Sequence, residues 1–469
     1  MKSLYRKTVT WAMTLFFILS TAVSPGYGFN IAEEREVGER LLYSVRSSFD
    51  LIDDPDITQY ITKLGKDVLD VAGIQYFDYH FFVIENKEFN AFAAPSGLIF
   101  FHSGLIKAMQ SEEELVSVLA HEIGHIVKRH LASRMEKGTY SSMTSLGLAL
   151  AAVAFGGAVT PVLFSGALAT GQSMNLHFSR EHEAEADLLA YDWMKKLHMD
   201  TGGQVQMLET MRRIARYRSD KLPQYLLTHP NPEARLDAIE SLMDSENVRD
   251  ETHVNPSNQF EFLRFKYRIL LRTENSQTLK GYYASIKTAK NSSATEKTMA
   301  IYGLAQLYAG EKDYGRSLEL IDTVIEQFPE ENILYCDKAV MLFESGDLAG
   351  AEQLLRQVIA KDGELMYAVY TLAKLLAVSN RLDEAGQLFK TVSYELPEYA
   401  SVYYELGQLA STQKKAGTAN YYLGKFHMLE GKFDLATFSL KNALQDKSLP
   451  ENMKKQAEIL LARIRKLQE

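Results

Sequence analysis

Small residues recur at a fixed step of 34 through the C-terminal half of this 469-residue chain, and no other feature constrains the fold as tightly. Ala305, Ala339, Ala373 and Gly407 form one series, and Ser317, Ala351, Ala385 and Ala419 a second. Val324, Val358, Val392 and Phe426 keep the same step. A unit of that length holds two antiparallel helices, and small side chains recur where the helices must approach closely. Pro329 and Pro397, alternating with Gly363 and Gly431, stand where helix pairs would stop. Near residue 417 the register shifts by half a unit, since Gly424, Ala436 and Ala443 fit a pair starting there. The end, about Glu451 to Leu467, reads as a polar capping helix. Residues 258–297 look helical but match the pattern poorly.

This periodicity resembles tetratricopeptide repeats. The resemblance implies an α-helical solenoid over residues 251–469 with a concave groove for peptides or partner proteins. Cys336, the single cysteine, has no partner for an internal disulfide and sits in an apolar helical setting that suits core packing.

The preceding part carries chemistry instead. His121-Glu122-Ile123-Gly124-His125 spells H-E-x-x-H, which on a helix sets two imidazoles on one face with a glutamate between them. Such a pair can bind Zn²⁺, and the glutamate can take a proton from the water that the metal activates. The helix itself is well signalled. Ser111 and Glu114 have capping-box spacing, and Leu115, Val118, Leu119, Ile123, Ile126 and Val127 form an apolar stripe. Lys128, Arg129 and His130 follow as C-terminal cations, so the pattern predicts one helix from about Glu112 to Ala132.

Catalytic zinc needs a third protein ligand. Ser179-Arg180-Glu181-His182-Glu183-Ala184-Glu185-Ala186-Asp187 is the obvious source. Glu183 and Asp187 share a helix face, so one can ligate while the other orients an imidazole. Glu181 with Glu185 has the same spacing, and His182 is a further possible ligand; spacing alone rejects neither.

H-E-I-G-H followed by S-R-x-x-E-x-x-A-D resembles the gluzincin-type peptidases that include the HtpX-like and CAAX prenyl proteases. The resemblance implies Glu183 as the third zinc ligand and Asp187 as its outer partner. It extends to Thr228-His229-Pro230-x-Pro232-x-x-Arg235 and to the stretch Asn90–Gly97, which resembles the family's edge strand and turn. By resemblance, His229 faces the metal and Arg235 supports the metal site or the substrate. Both are candidates for stabilising an oxyanion, and His229 is also a possible fourth ligand. Phe77, Tyr79, Phe81 and Val83 alternate like a strand, Gly97–Phe101 forms a second, and His102 reads as a strand-end residue. An edge strand here would hold unfolded or extended substrates through their backbone.

Lys2, Arg6 and Lys7 precede an apolar run to about Val23 and then Pro25-Gly26-Tyr27-Gly28, the layout of a signal peptide over 1–28. Loss of those three cations takes the formal charge from −9 to −12. An acidic exported chain argues against nucleic acid as a partner. Gly138–His177 holds no charged residue apart from a possible charge on His177. Gly156-Gly157, Pro161 and Gly166 divide it into pieces shorter than the ~20 residues of a membrane span, which favours a buried hairpin or lid. Peripheral membrane contact through 138–177 stays open.

The expected fold is mainly α. An α+β zincin-like metallopeptidase domain, with a small sheet packed on helices, occupies 29–250 and precedes the solenoid. Signal peptide, zinc peptidase and repeats in that order resemble periplasmic proteases of outer-membrane protein quality control. That resemblance implies one Zn²⁺ per chain and contact with the outer-membrane assembly machinery through the repeats. The alternatives are a non-catalytic repeat adaptor with a latent metal site, and a membrane-embedded protease of the HtpX-like kind.

Overall fold

The computed structural model describes residues 31–136, 178–217, 222–247 and 258–468. The stretches expected to be signal peptide (1–28) and lid or membrane contact (138–177), and the boundary at 250/251, lie outside these residues. The described chain is mainly helical with one small sheet. No helix among the described residues is long and apolar enough to cross a membrane.

The sheet has three strands, β1 (His80–Ile84), β2 (Ala91–Ala94) and β3 (Leu98–His102), in the order β1-β3-β2. β1 runs parallel to β3 and β2 antiparallel to it. β1 begins three residues later than the alternation of Phe77 with Tyr79 predicts, because the chain bends at Tyr76 and Phe77. Alternation then sorts the side chains. Phe82, Phe92 and Phe100 stack on one face beneath Val37, Leu41 and Val45 of the helix Ile31–Ser48. Phe81, Val83, Ile99 and Phe101 enter the main core with the helices Pro55–Ala72 and Glu112–Val127. At Gly38 a Cβ would lie 2.4 Å from the Pro95 carbonyl oxygen, so glycine lets the first helix cross the β2–β3 turn.

Helix pairs follow at the expected step: Ala294–Gly310 with Tyr314–Gln327, Asn332–Ser345 with Leu348–Lys361, Met366–Val378 with Leu382–Glu395, and Ala400–Thr412 with Ala416–Leu429. The shifted register is also accommodated. Ala416–Leu429 packs Leu423 against Gly407 on one side and sets Gly424 against Leu440 of Phe433–Gln445 on the other. It therefore completes one pair and begins the next.

The repeats do not stand apart from the N-terminal part. Gln259–Thr273 joins the same core as the peptidase helices and inserts Arg264 and Arg268 among Asp54, Asp56 and Asp337. Asp53 accepts hydrogen bonds from Ser401, and Arg46 donates to the Leu429 carbonyl and to Glu398. The final helix, Glu451–Gln468, pairs Lys466 with Glu36 and Arg463 with Glu39 on the first helix. A cavity of about 390 Å³ lies between β1, the 46–53 segment and the repeat turns at 395–400 and 429–432, and neither His121 nor His125 lines it.

Candidate metal centre

The H-E-x-x-H helix starts as expected in part. The Ser111 side chain accepts from the Glu114 N–H, but the Glu114 carboxylate turns to the Gln110 backbone, so the reciprocal capping box is not formed. Glu112, Glu113 and Glu114 are all buried, and burial pushes Glu112 and Glu114 up to about 7.

The far end departs from the single helix predicted to Ala132. The helix stops at Val127, Arg129 adopts a left-handed φ of 50°, and a second helix runs His130–Glu136. Two nitrogens of the Arg129 guanidinium hold Glu34 at 3.0 and 3.2 Å, a contact from the first helix that no local pattern foretells. His130 is consequently buried rather than a solvated C-terminal cation.

One turn apart on the active helix, His121 and His125 bring their Nε2 atoms within 3.0 Å. The helix Arg180–Lys196, capped by Ser179, lies close alongside because residue 124 is glycine: a Cβ there would sit 3.3 Å from the Ala186 Cα. That approach delivers Glu183, whose Oε1 lies 3.4 Å from His125 Nε2 and whose Oε2 lies 3.6 Å from His121 Nε2. His229 ends the short helix Gln224–Thr228, and its Nδ1 is 3.0 Å from Glu183 Oε1 and 3.3 Å from His121 Nε2. Tyr225 stacks on the His229 ring at 4.4 Å. His121, His125, Glu183 and His229 thus offer four buried donor atoms, all within 4.8 Å of one another.

Of the acidic residues at 181–187, Glu183 is the one grouped with the histidines. Glu181 is exposed and outside the group, His182 stacks on His130 at 4.2 Å, and Glu185 pairs with Lys128 and His130. Asp187 Oδ1 lies 2.9 Å from His121 Nδ1 and also accepts from Arg235, whose Nε reaches Asp187 Oδ2 at 2.7 Å. Arg235 Nη1 is 2.9 Å from Glu183. Arg235 therefore braces two carboxylates at the back of the donor group.

Charge is arranged to suit a cation. Burial opposes ionising Glu183, but His229 and Arg235 overcome it and hold the carboxyl well below its usual range. Asp187, also against burial, is pulled to about 2 mainly by Arg235. Burial drives His125 well below its ordinary value, leaving the neutral imidazole a metal requires. His229 goes the other way: despite burial, Glu183 and Glu122 raise it. Glu122 has no solvent exposure. Its Oε2 accepts from the β2 Ala93 N–H at 2.9 Å, while Oε1 has no hydrogen-bond partner and lies 3.5 Å from His229 Nε2. A buried imidazole–carboxylate cluster with an unsatisfied carboxylate oxygen beside it fits a zinc-type ion.

Residues 55–243 match peptidase family M48, and residues 302–365 and 342–409 match tetratricopeptide repeats. The beta-barrel assembly-enhancing protease of Yersinia pestis is 30% identical over 400 residues, covering 83% of this chain and 79% of that protein. The chain belongs to peptidase family M48. This is a family of metal-dependent peptidases, here joined to repeats. The beta-barrel assembly-enhancing protease of Escherichia coli K12 is 37% identical over 217 residues, 45% of this chain and 44% of its own length, so that match spans less than half of the relative. The mitochondrial metalloendopeptidase OMA1 of Schizosaccharomyces pombe is 29% identical over 219 residues, 46% of this chain and 59% of that protein.

Four residues near the centre carry no sequence signal of their own. His130 reads as a helix-end cation, and Glu185 as the partner of Glu181 in a pair spaced like Glu183 and Asp187. Tyr225 and Phe178, whose ring lies 4.0 Å from His125, belong to no motif of the sequence.

Proposed function

We propose that this M48 member is a zinc metalloendopeptidase of the periplasm that cleaves misfolded or stalled proteins, outer-membrane proteins among them. The observation that carries the proposal is the Glu122 carboxylate, fully buried and pinned by Ala93, with its second oxygen unpaired beside four converging donors. A zinc ion held by His121, His125 and Glu183 supplies Lewis acidity and a water of lowered pKa. Glu122 Oε1 takes the proton of the attacking water and returns it to the leaving amine. Asp187 fixes the His121 ring through Nδ1, and Arg235 fixes Asp187 and Glu183. Arg235 gives Nε and Nη2 to Asp187 and sets Nη1 2.9 Å from Glu183, so it serves as a support, and His229 is the oxyanion donor. His229 also lies inside the donor group, where it is available as a fourth ligand, and an outward movement would free it to act on substrate.

Substrate selection follows from the sheet. β2 is the edge strand on the side of Glu122 and carries the Ala93 N–H that Glu122 accepts, which supports an extended segment laid along it. That mode reads extension rather than side chains and suits unfolded clients. The repeats, as a domain over 251–469, would receive outer-membrane assembly partners. Relatives carrying the name beta-barrel assembly-enhancing protease, and the cationic-then-apolar N-terminus, support that role and export. Metal analysis of the purified full chain tests the proposal: about one zinc is expected, reduced by alanine at His121, His125 or Glu183. A metal-free wild type that still digests unfolded protein would refute it.

A further inference from the structure

We propose that His130 and Glu185 form a hydrogen-bond relay that fixes the ring of His125 as a metal ligand. The inference rests on reading His125 as a ligand through Nε2. That nitrogen faces His121 and Glu183, leaving Nδ1 to be satisfied elsewhere. His121 has Asp187 for this purpose. His125 has no carboxylate at the equivalent place; its Nδ1 meets His130 Nδ1 at 2.9 Å, and His130 Nε2 meets Glu185 Oε2 at 3.0 Å.

These contacts dictate one set of tautomers. If Nε2 of His125 gives its lone pair to the metal, Nδ1 carries the hydrogen and donates it. His130 Nδ1 must then accept, so the His130 hydrogen sits on Nε2 and is donated to the Glu185 carboxylate. The order is Glu185 as acceptor, His130 as donor to it and acceptor from His125, and His125 as donor at Nδ1 and ligand at Nε2. Every polar atom in the chain is used once. His182 stacks flat on His130, with planes 15° apart, and Lys128 holds the other Glu185 oxygen at 2.6 Å, so both ends of the relay are steadied.

The backbone is shaped for the same contact. On an uninterrupted helix, residues five apart point about 140° away from each other, and His130 could not face His125. The break at Arg129 removes that obstacle. Arg129 takes a left-handed conformation that disfavours side chains, and its guanidinium is held by the buried Glu34. The next helix then begins at His130 and returns its ring to His125, at 5.0 Å between centroids. A strained non-glycine turn clamped by a distant carboxylate does more than end a helix, for which Gly would have served.

The test is zinc affinity by chelator competition on the full chain, with melting of the metal-free protein measured alongside. His130→Phe keeps a ring of similar size but has no acceptor; zinc should bind about 10–100-fold more weakly, with metal-free melting unchanged or raised. His130→Asn places an amide oxygen where Nδ1 was and should recover most of the affinity. Substituting Co²⁺ should give a visible spectrum altered in His130→Phe and close to wild type in His130→Asn. A purely structural role predicts the reverse pattern, lower metal-free stability without rescue by Asn. Zinc binding by His130→Phe equal to wild type would overturn the relay, as would His130→Asn as weak as His130→Phe. If His130→Phe does not fold, Glu185→Ala decides, because Glu185 is 43% exposed and tolerates truncation. A severalfold weaker zinc affinity supports the relay, and an unchanged one overturns it. Absence of zinc from the wild type would sink the metal reading itself, a result distinct from failure of the relay alone.

Discussion

Asp337→Ala should strongly destabilise the junction between the peptidase helices and the repeats. Asp337 has a fully buried side chain on the helix Asn332–Ser345 and accepts from Arg264 Nε at 2.8 Å and Nη2 at 3.0 Å. Arg268 Nη1 lies a further 3.4 Å away. Without this carboxylate, Arg264 keeps only Asp56, and Arg268 keeps Asp54 and Asp56. Three guanidiniums, two of them nearly buried and the third the half-exposed Arg272 on Asp54, then share two carboxylates. Removing one partner of a buried ion pair costs about 3–5 kcal/mol. Because Asp56 still holds Arg264 through two contacts of 2.7 and 2.8 Å, the lower end, about 3 kcal/mol, is expected. Urea unfolding followed by circular dichroism measures it, with the double variant Asp337→Leu/Arg264→Met as the companion. The double variant should recover much of the loss, since apolar groups of similar volume replace a buried pair at little cost. A loss below about 1 kcal/mol for Asp337→Ala would refute the view that this network joins the two parts.

Two further perturbations probe separate parts of the fold. His102 is buried between Phe49 and Phe92 with neither ring nitrogen hydrogen-bonded, and burial lowers it to about 4. The unfolded histidine takes up a proton below about 6.5 and the folded one only near 4, so stability drains away as pH falls through that window, by up to about 3 kcal/mol. Glu112 and Glu114, raised to about 7, act oppositely by losing stability as pH rises from 4.5. The informative quantity is therefore the difference between wild type and His102→Phe in urea titrations from pH 7 to 4; parallel profiles would contradict the account. At Gly124, alanine should be tolerated within about 1 kcal/mol, its helix propensity offsetting a tight contact. Valine should separate the two helices at Ala186, costing about 1–3 kcal/mol and weakening zinc binding; equal zinc affinity in both variants would show that this approach does not set the Glu183 position.

Much of the architecture could be read from the chain because it rests on local periodicity. The 34-residue series mark helix crossings that depend only on neighbouring units, and H-E-x-x-H places two rings by helix geometry alone. What escaped was set by residues far apart in sequence. Spacing alone left Glu183 with Asp187 and Glu181 with Glu185 equivalent, and only the resemblance pointed to Glu183, which shares a helix with the Ala186 packed on Gly124. No glycine or proline marks the break at Arg129; Glu34, on the first helix, holds it. Lys128-Arg129-His130 therefore looked like an ordinary cationic helix end, and the partner of His125 was hidden with it. The packing of the repeats on the peptidase helices was equally illegible, because the shared apolar core is joined by buried charges at 54, 56, 264, 268 and 337 that each look like surface residues in isolation.

The most direct test of the central claim is to compare Glu122→Gln with wild type for zinc content and for cleavage of an unfolded outer-membrane protein. The substitution preserves shape and keeps a group that can face Ala93, but it cannot take a proton from water. About one zinc per chain is expected in both proteins, with cleavage by Glu122→Gln reduced by a factor on the order of 100 or more. Zinc-loaded Glu122→Gln that digests the substrate at the wild-type rate would contradict the proton-taking role of Glu122.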